Sequence, residues 1–322
     1  MKIQQISRES SAFQQPIDEE LLSQALTEQL PGQTITAVTE LSAGLFNNTY
    51  RVDTQDSRYI LKVAPDAQAN VYYNERHLMQ REQSLAERLS ALSPLIPDYH
   101  GFFEIDGRAA FLQAFVPGRL WHDEIETLSE DENAILWEQL GSFARKLHDH
   151  PGDLFGYPDP FTRHERWSQF IEDNVNGMVA DAERLGLMCD EIREYVALLP
   201  GFASVLDEVK QPGLMHGDIW PRNVIFDGAG ENIHIVAVID CERAFWGDPI
   251  SDWVLLFFDL PSTFWRGYGE NLKANTDPMR MAVYKGMYYI LNIIESERID
   301  EHGGQAPGWL AEVNAELRAF QA

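Results

Sequence analysis

The sequence predicts an α+β fold of two lobes, with a small β-rich N-terminal lobe and a larger, mainly helical C-terminal lobe. The chain has 322 residues, more than one small domain needs. Short runs rich in β-branched and aromatic residues concentrate before residue 117, whereas longer runs with helical apolar spacing follow it. Pro117-Gly118, a rigid residue followed by a permissive one, predicts a hinge between the lobes.

Residues 1–116 are predicted to form a five-stranded sheet with one main helix. A first helix from Asp18 to Leu30 ends at Pro31-Gly32. The main helix runs from Ala69 to about Leu92, before Pro94 and Pro97. The five predicted strands are Ile35–Leu41, Thr49–Asp53, Tyr59–Val63, Tyr99–Glu104 and Ala109–Val116, the last two joined around Asp106-Gly107.

Residues 117–322 are predicted to be mainly helical. The candidate helices are Glu130–His150, Phe161–Leu185, Asp190–Leu199, Pro249–Leu260, Pro278–Ile299 and Trp309–Phe320. Two short apolar runs, Asn223–Phe226 and Ile235–Ile239, flank a polar turn and predict a small hairpin inside this lobe.

The charge of the chain restricts its partners. The formal net charge is −26, from 51 acidic and 25 basic residues, so binding to nucleic acid or to an anionic membrane surface is not expected. Residues 1–115 carry 15 acidic and 9 basic residues, which leaves a net charge of −20 on the remainder. A cationic ligand would be favoured there, although an acidic surface also serves solubility alone.

Cysteine usage and the N-terminus predict a cytoplasmic protein. Cys189 and Cys241 lie in separate segments and have no metal-ligand spacing, so neither a disulfide framework nor a cysteine metal site is expected. The first twenty residues are polar and lack the apolar core of a signal peptide. No run of about 18 apolar residues predicts a membrane span. The oligomeric state cannot be predicted.

Three polar residues in the hairpin region have the chemistry that phosphoryl transfer requires. Asp218 and Asn223 lie five residues apart in a loop that Pro221 keeps from being a regular helix, and Asp240 ends the next strand. A hairpin would bring Asn223 and Asp240 to one end of the strand pair. Their oxygens would suit Mg²⁺, and Asp218 could accept the proton of an attacking hydroxyl. As the alternative, Asp218 could cap a turn, Asn223 could bond the backbone and Asp240 could cap the following helix.

This region resembles the aminoglycoside phosphotransferase family, a group that includes choline, fructosamine and methylthioribose kinases and has a bilobal protein-kinase-like fold. The resemblance rests on His216-Gly217-Asp218, Asn223, Ile239-Asp240, Gly247-Asp248-Pro249 and Asp252. It implies that Asp218 is the catalytic base and that Asn223 and Asp240 bind Mg²⁺ with ATP as co-substrate. It also implies that His216 and Asp252 brace the catalytic loop.

The resemblance further implies a nucleotide site in the N-terminal lobe. Lys62 lies in an otherwise apolar strand, where a charge must be paired or useful unless it is an edge-strand lysine in solvent. The resemblance implies that it reaches the α and β phosphates. Its expected partner is Glu82, with Glu75 as the second choice. Gly44 lies in a loop, 42–48, whose backbone could cover phosphates. Ala114 and Val116 would offer hinge backbone groups to the purine.

The acceptor should reach Asp218 from the C-terminal lobe. Glu242 and Trp246 are candidate contacts; further acidic or aromatic candidates, each with a structural alternative, are Glu172, Asp173, Glu295, Glu297, Trp167 and Trp253. The favoured hypothesis is a small-molecule O-kinase whose acceptor bears an amine. A protein kinase and a catalytically silent nucleotide-binding protein are the alternatives. Trp220, where many protein kinases carry lysine, and the short interval from Asp240 to Gly247 disfavour the former.

Overall fold

The computed structural model describes residues 1–9, 12–42, 44, 46–66, 68–158, 160–298 and 304–321. It has the predicted α+β, two-lobe organisation. The elements of the N-terminal lobe are β1 (Lys2–Gln4), α1 (Glu19–Gln29), β2 (Ile35–Leu41), β3 (Asn48–Thr54), β4 (Arg58–Val63), α2 (Leu78–Leu92), β5 (Tyr99–Ile105) and β6 (Arg108–Ala114).

The N-terminal sheet has six strands instead of the predicted five. Its order is β1-β2-β3-β4-β6-β5, and only the β1–β2 pair is parallel. The additional strand, β1, pairs Lys2 with Ala37 and Gln4 with Thr39. Three residues with two polar side chains give no strand pattern of their own. This strand forms because the edge of β2 supplies its hydrogen-bonding partners.

The predicted helix from Ala69 to Leu92 is wrong in its first part. A short 3₁₀ turn covers Tyr73–Glu75, and α2 begins only at Leu78. His77, immediately before α2, has a φ of 63°. That left-handed conformation is incompatible with continuing a right-handed helix through this position.

The C-terminal lobe is mainly helical, as predicted. Its elements are β7 (Arg119–Leu120), α3 (Trp121–Glu124), α4 (Glu130–His148), β8 (Phe155–Gly156), β9 (Arg163–His164), α5 (Trp167–Leu185), α6 (Asp190–Leu198), α7 (Ala203–Leu206), β10 (Gly213–Met215), β11 (Val224–Asp227), β12 (His234–Val238), β13 (Phe245–Gly247), α8 (Trp253–Phe257), α9 (Ser262–Tyr268), α10 (Leu272–Asn275), α11 (Pro278–Glu295) and α12 (Ala306–Gln321). Two small sheets, β10-β13-β8-β9 and β12-β11-β7, are set among the helices.

Three helix predictions in this lobe need correction. The predicted helix Phe161–Leu185 begins at Trp167, because Arg163–His164 pairs with β8 as a strand. Within Pro249–Leu260, only Trp253–Phe257 is α-helical, after a 3₁₀ turn. The helix predicted to reach Ile299 ends at Glu295, and Ile299 itself lies outside the described residues.

Two hydrophobic cores organise the lobes. The first lies between the N-terminal sheet and α1, whose Leu22 and Leu26 are fully buried. The second fills the helical lobe and also contains Leu85 and Leu89 of α2. Helix α2 therefore packs its apolar face against the C-terminal lobe and links the two lobes. Among the described residues, no helix is both long and apolar enough to cross a membrane.

Candidate active site

The loop between β10 and β11 carries Asp218 and Asn223. Pro221 starts a single 3₁₀ turn, Pro221–Asn223, which leads directly into β11. The Asn223 amide nitrogen donates to the carbonyl of Asp218 at 2.8 Å and to its Oδ2 at 2.7 Å. The predicted pair of polar residues is thus in contact, and Asn223 fixes the orientation of the Asp218 carboxylate.

Residues from outside the loop hold it in place. The backbone N–H of Gly217 donates to Oδ2 of Asp252, which is fully buried at the start of α8, and the N–H of Asp218 donates to Nδ1 of His216. Burial raises the pKa of Asp252 to about 7 and lowers that of His216 to about 4. The indole of Trp253 donates to Oδ1 of Asp218 at 3.2 Å. His216 and Asp252 have the positions expected of bracing groups.

Asp240 lies at the same end of the β11–β12 pair as Asn223. Val224 pairs with Val238, and the N–H of Ile239 donates to the carbonyl of Asn223 at 2.9 Å. Asp240 follows with a φ of 66°, which is costly for a residue with a Cβ. Such strain is typical of positions where function needs a particular side-chain direction. The hairpin predicted from the sequence brings these two residues together.

Lys62 pairs with Asp240 instead of Glu82. Its ammonium, on a side chain that is 9% exposed, forms an ion pair with the Asp240 carboxylate across the cleft between the lobes. Glu82 is 1% exposed and accepts a hydrogen bond of 2.6 Å from the hydroxyl of Tyr99. Burial raises the pKa of Glu82 to about 7, and the charge of Lys62 opposes that shift. The expected Lys62–Glu82 ion pair is therefore absent between these two described residues.

Glu75, the second-choice partner, is also engaged elsewhere. It forms an ion pair with Arg298, and its carboxylate accepts from the N–H of Tyr72 at 3.0 Å. Its place in the 3₁₀ turn before α2 directs it to the end of α11, not to β4. Lys62 is consequently held by Asp240, with Glu82 close enough to act on it electrostatically.

The loop that contains Gly44 is fastened from two sides. The side-chain amide of Gln14 donates to the carbonyls of Gly44, at 3.0 Å, and of Asn47, at 2.8 Å. The amide of Asn47 donates to the carboxylate of Glu242 at 2.6 Å, which joins the loop to the segment after Asp240. Two other members of the predicted loop, Ala43 and Leu45, lie outside the described residues.

The segment that leads out of β6 offers backbone groups at the cleft. The N–H of Ala114 donates to the carbonyl of Asp98, and the N–H of Phe115 donates to that of Arg58. The N–H of Val116 makes no backbone hydrogen bond with the described residues. Gly118 follows; a Cβ there would lie 2.5 Å from the Ile225 side chain, so a larger residue could not pass so close to β11.

The donor set at the hairpin end fits a magnesium ion that is held together with a nucleotide. Both hydrogen bonds of the Asn223 amide nitrogen go to Asp218, and its Oδ1 accepts none from the described residues. Asp240 adds a carboxylate that is 34% exposed. Within the described ranges, no group of three or more His, Cys, Asp and Glu side chains could form a metal cage. Two oxygen ligands completed by phosphates and water suit Mg²⁺.

A cavity of about 610 Å³ opens in front of Asp218. Its walls come from α5, the β10–β11 loop, α8 and α11, and its aromatic lining includes Trp220, Trp253, Phe257 and Tyr288. Burial raises the pKa of Asp218, while the nearby guanidinium of Arg243 opposes the shift. A carboxylate with a raised pKa next to a cavity is well suited to accept a proton from a bound hydroxyl.

Only two of the sequence-predicted acceptor contacts line this cavity, Glu295 and Trp253. Glu242 binds Asn47, Asp173 accepts from the hydroxyl of Tyr73, and Trp167 is fully buried in the core. The lining also contains Arg81 and Arg243, which the sequence pattern did not single out. Only their positions in the sequence could have indicated them: Arg81 precedes Glu82, and Arg243 follows Asp240 by three residues.

A model of the phosphotransferase enzyme family matches residues 37–284 of the chain. The protein belongs to this family. The match begins in β2 and ends in α11, so it includes Lys62, the β10–β11 loop and Asp240. Family membership confirms the resemblance drawn from the motif residues, and the chain is accordingly a phosphotransferase.

Curated relatives and solved structures are similar to this protein over most of the chain. A probable ketoamine kinase of Vibrio vulnificus is 24% identical over 282 residues, which cover 84% of this chain and 91% of that protein. A relative of the same description from Vibrio parahaemolyticus is 22% identical with the same coverage.

Among solved structures, the aminoglycoside phosphotransferase APH(2'')-Ib with ADP bound has a TM-score of 0.64 at 19% identity, and the match covers 94% of this chain and 99% of that one. The gentamicin complex of APH(2'')-IIa has a TM-score of 0.63 at 19% identity, covering 94% and 96%. These likenesses confirm the predicted bilobal, protein-kinase-like fold.

Proposed function

We propose that the protein transfers the γ-phosphoryl group of ATP, with Mg²⁺, to a hydroxyl group of a small molecule. The observation that carries the proposal is the chain of contacts that brings Asp218, Asn223, Asp240 and Lys62 together, with Asp218 lining the cavity. These four residues come from three separate stretches of chain. Turn and helix capping does not require their convergence, whereas phosphoryl transfer does.

The nucleotide would bind between the lobes. Lys62 would bind its phosphates, the backbone of the Gly44 loop would cover them, and Ala114 and Val116 would contact the purine. The N–H of Val116, which makes no backbone hydrogen bond with the described residues, supports this orientation. Glu82 would hold Lys62 electrostatically from α2 while the phosphates compete with Asp240 for its ammonium. A structure of similar fold contains ADP, according to its description.

Asp218 would act as the base. Its Oδ2 accepts from Asn223 and its Oδ1 from Trp253, so the carboxylate is fixed with its charge facing the cavity. It would orient the acceptor hydroxyl and take its proton as the oxygen attacks phosphorus. Mg²⁺, when bound by Asn223 and Asp240, would neutralise the charge of the transferring group. The aromatic walls would limit the access of water to the site.

The acceptor is proposed to be a hydroxylated compound derived from a sugar. Two curated relatives are described as probable ketoamine kinases, and one structure of similar fold holds gentamicin. A cavity of about 610 Å³ has the size of a site for a small molecule. Ketoamines, amino sugars and aminoglycosides are therefore the first compounds to test. Peptides are disfavoured, because β13 begins at Phe245 and leaves no long segment after Asp240.

The test is incubation of the purified protein with Mg-ATP and pooled ketoamines, amino sugars and aminoglycosides, followed by mass spectrometry. A phosphorylated product would gain about 80 Da. Asp218→Ala should lose on the order of 10²- to 10⁴-fold in kcat, because the positioned base is removed. Asp227→Asn is the control, since Asp227 is exposed on the same hairpin. Wild-type turnover by Asp218→Ala, or transfer to protein hydroxyls alone, would overturn the proposal.

A further inference from the structure

The charge of the cavity differs from that of the chain around it. The chain has a net charge of −26. The cavity is lined by three arginines, Arg81, Arg222 and Arg243, and by two carboxylates, Asp218 and Glu295. If Asp218 is reserved for the acceptor hydroxyl, one carboxylate remains against three guanidinium groups. The acidic residues that determine the overall charge therefore do not determine what the cavity attracts.

Arg243 lies directly behind the catalytic loop. Gly217 packs so tightly against it that a Cβ on Gly217 would lie 2.4 Å from the carbonyl oxygen of Arg243 and 3.0 Å from its Cβ. This contact places the Arg243 side chain beside Asp218, where it lines the cavity. It forms no direct ion pair or hydrogen bond with the described residues. Burial lowers its pKa, but the carboxylates of Glu295, Asp218, Glu75 and Glu242 more than offset this and keep it charged. Its hydrogen-bonding groups are thus available to a ligand.

Arg81 reaches the same cavity from the other lobe. Arg81 lies on α2 and is 4% exposed. Its guanidinium stacks over the ring of Tyr157, 3.5 Å from the ring centre. It donates one hydrogen bond, of 3.2 Å, to the carbonyl of Asn74, and its Nε has no partner among the described residues. The ring and the carbonyl fix the orientation of the guanidinium without neutralising it.

Arg81 is buried without a carboxylate partner among the described residues, which is costly unless an anion joins it. Arg243 also lacks a direct ion pair, although nearby carboxylates stabilise its charge. Burial lowers the pKa of Arg81, and the nearby charge of Arg243 lowers it further. Glu295 does not neutralise the two guanidinium groups through direct contact, because it forms no ion pair with either of these described residues. Arg222 contributes less, as it is exposed and stacks over Trp220 at 5.0 Å.

We propose that the acceptor carries an acidic group, a carboxylate or a phosphate, which Arg243 and Arg81 bind while Asp218 engages a hydroxyl of the same molecule. This inference rests on the proposed function and names the substrate class of that site. A planar guanidinium binds a carboxylate or phosphate through two parallel hydrogen bonds, which also fixes the orientation of the ligand. An amine on the same acceptor remains compatible, because Glu295 faces the cavity as well.

The test compares matched compounds that differ only in the acidic group. One series is glucose, glucuronate and glucose 6-phosphate; the other consists of fructosyl ketoamines of propylamine, β-alanine and phosphoethanolamine. We expect the kcat/KM of the preferred acidic member to exceed that of its neutral counterpart at least tenfold, and the two acids distinguish a carboxylate from a phosphate site. A preference for the neutral members would overturn the inference.

Substitutions assign the preference to the two arginines. Arg243→Met and Arg81→Met should each reduce the acid-to-neutral ratio of kcat/KM at least tenfold, because the loss falls mainly on the acidic compound. Arg243→Lys should retain part of the preference, because it keeps the charge. Arg88→Met is the matched control, since Arg88 is exposed on α2, the helix that carries Arg81. Equal losses for acidic and neutral compounds would assign the arginines a structural role and reject the inference.

Calorimetric binding of the same compounds separates the two proposals. If the acidic members bind in an Arg243-dependent way but are not phosphorylated, the proposed function fails and the acid site stands. If neutral compounds are phosphorylated and the acids neither bind nor react, the acid site fails and the proposed function stands.

Discussion

Lys62 and Asp240 form an ion pair across the cleft, between a strand of the N-terminal sheet and the end of a hairpin in the helical lobe. The pair joins the residue proposed to bind phosphates to a residue proposed to bind Mg²⁺. A bound nucleotide would provide new partners for both, because phosphates attract the ammonium and the metal attracts the carboxylate. The ion pair therefore keeps both side chains at the cleft in a state from which a nucleotide can displace them.

Lys62→Met should abolish most activity with little loss of stability. The ammonium is buried near two carboxylates, Asp240 and Glu82, and its loss removes the charge proposed to orient the phosphates. We expect kcat/KM for ATP to fall on the order of 100-fold or more. Steady-state kinetics with varied ATP measure this. Lys146→Met, at an exposed position of α4, is the control. Wild-type kinetics in Lys62→Met would exclude its role.

Asn223→Ala should impair the response to magnesium. The substitution removes Oδ1, proposed as a metal ligand, and both hydrogen bonds to Asp218. We expect kcat to fall on the order of 100-fold, and the Mg²⁺ concentration for half-maximal rate to rise several-fold, because one of two protein ligands is lost. Titration of the rate with Mg²⁺ at fixed ATP tests this. An unchanged magnesium midpoint would mean that Asn223 only orients Asp218. Asn232→Ala is the control: Asn232 is exposed in the turn that follows β11, and the variant should behave as the wild type.

Gly217→Ala should displace the catalytic loop. Gly217 has a φ of 79°, and a Cβ there would lie 2.4 Å from a backbone oxygen of Arg243. Steric overlap and an unfavourable φ each cost about 1–3 kcal/mol, and the loop can relieve them only by moving Asp218. We expect kcat to fall at least tenfold and the melting temperature to drop by several degrees.

Gly186→Ala separates the two causes. Gly186 ends α5 with a φ of 72°, but a Cβ there would meet no atom within 4 Å. This variant carries the backbone strain without the steric overlap, so its melting temperature should fall while its kcat remains that of the wild type. Equal kcat values for the two variants would show that the Gly217–Arg243 contact does not position Asp218.

The features predicted from the sequence are those with local causes. Asp218, Asn223 and Asp240 were predicted to lie together because one proline-interrupted loop and one hairpin connect them, and local pairing of Val224 with Val238 brings this about. Lys62 stood out because it is a charge in an apolar strand. The strand Ile35–Leu41 has the predicted bounds, since its residues alternate in burial and end at turn residues.

The features that the sequence did not predict depend on packing between distant segments. The strand β1 exists because β2 leaves an edge for it, and Glu82 faces Tyr99 because α2 packs on the helical lobe. Arg81 and Arg243, 162 positions apart by their numbers, meet only in the folded molecule. Neither has a local pattern that distinguishes it from a surface arginine. Electrostatic complementarity of this kind requires the three-dimensional arrangement.

Acid sensitivity provides a test of the helical core that is independent of catalysis. His148 ends α4 with a ring that is buried, contacts the hydroxyl of Tyr268 at 2.9 Å and has no partner on Nε2 among the described residues. Burial lowers its pKa to about 3 from 6.5. Between these pH values the unfolded chain binds one proton more than the folded chain at this position. The free energy of unfolding therefore falls on acidification by up to about 1.4 kcal/mol per pH unit.

His148→Gln should remove that contribution. Glutamine is close to histidine in size and can bond Tyr268, but it does not titrate. Glu82 and Asp252, whose pKa values are raised to about 7, act in the opposite direction between pH 4 and 7, so the total slope of the wild type is not diagnostic. The difference in this slope between the wild type and His148→Gln is diagnostic, because both proteins contain these carboxyls. Urea unfolding at pH 4.5, 5.5 and 6.5 should show a slope lower by about 1 kcal/mol per pH unit in the variant. His234→Gln, at an exposed position, is the control and should keep the wild-type slope. If the wild type and His148→Gln instead show the same pH dependence, the buried ring does not take up a proton on unfolding.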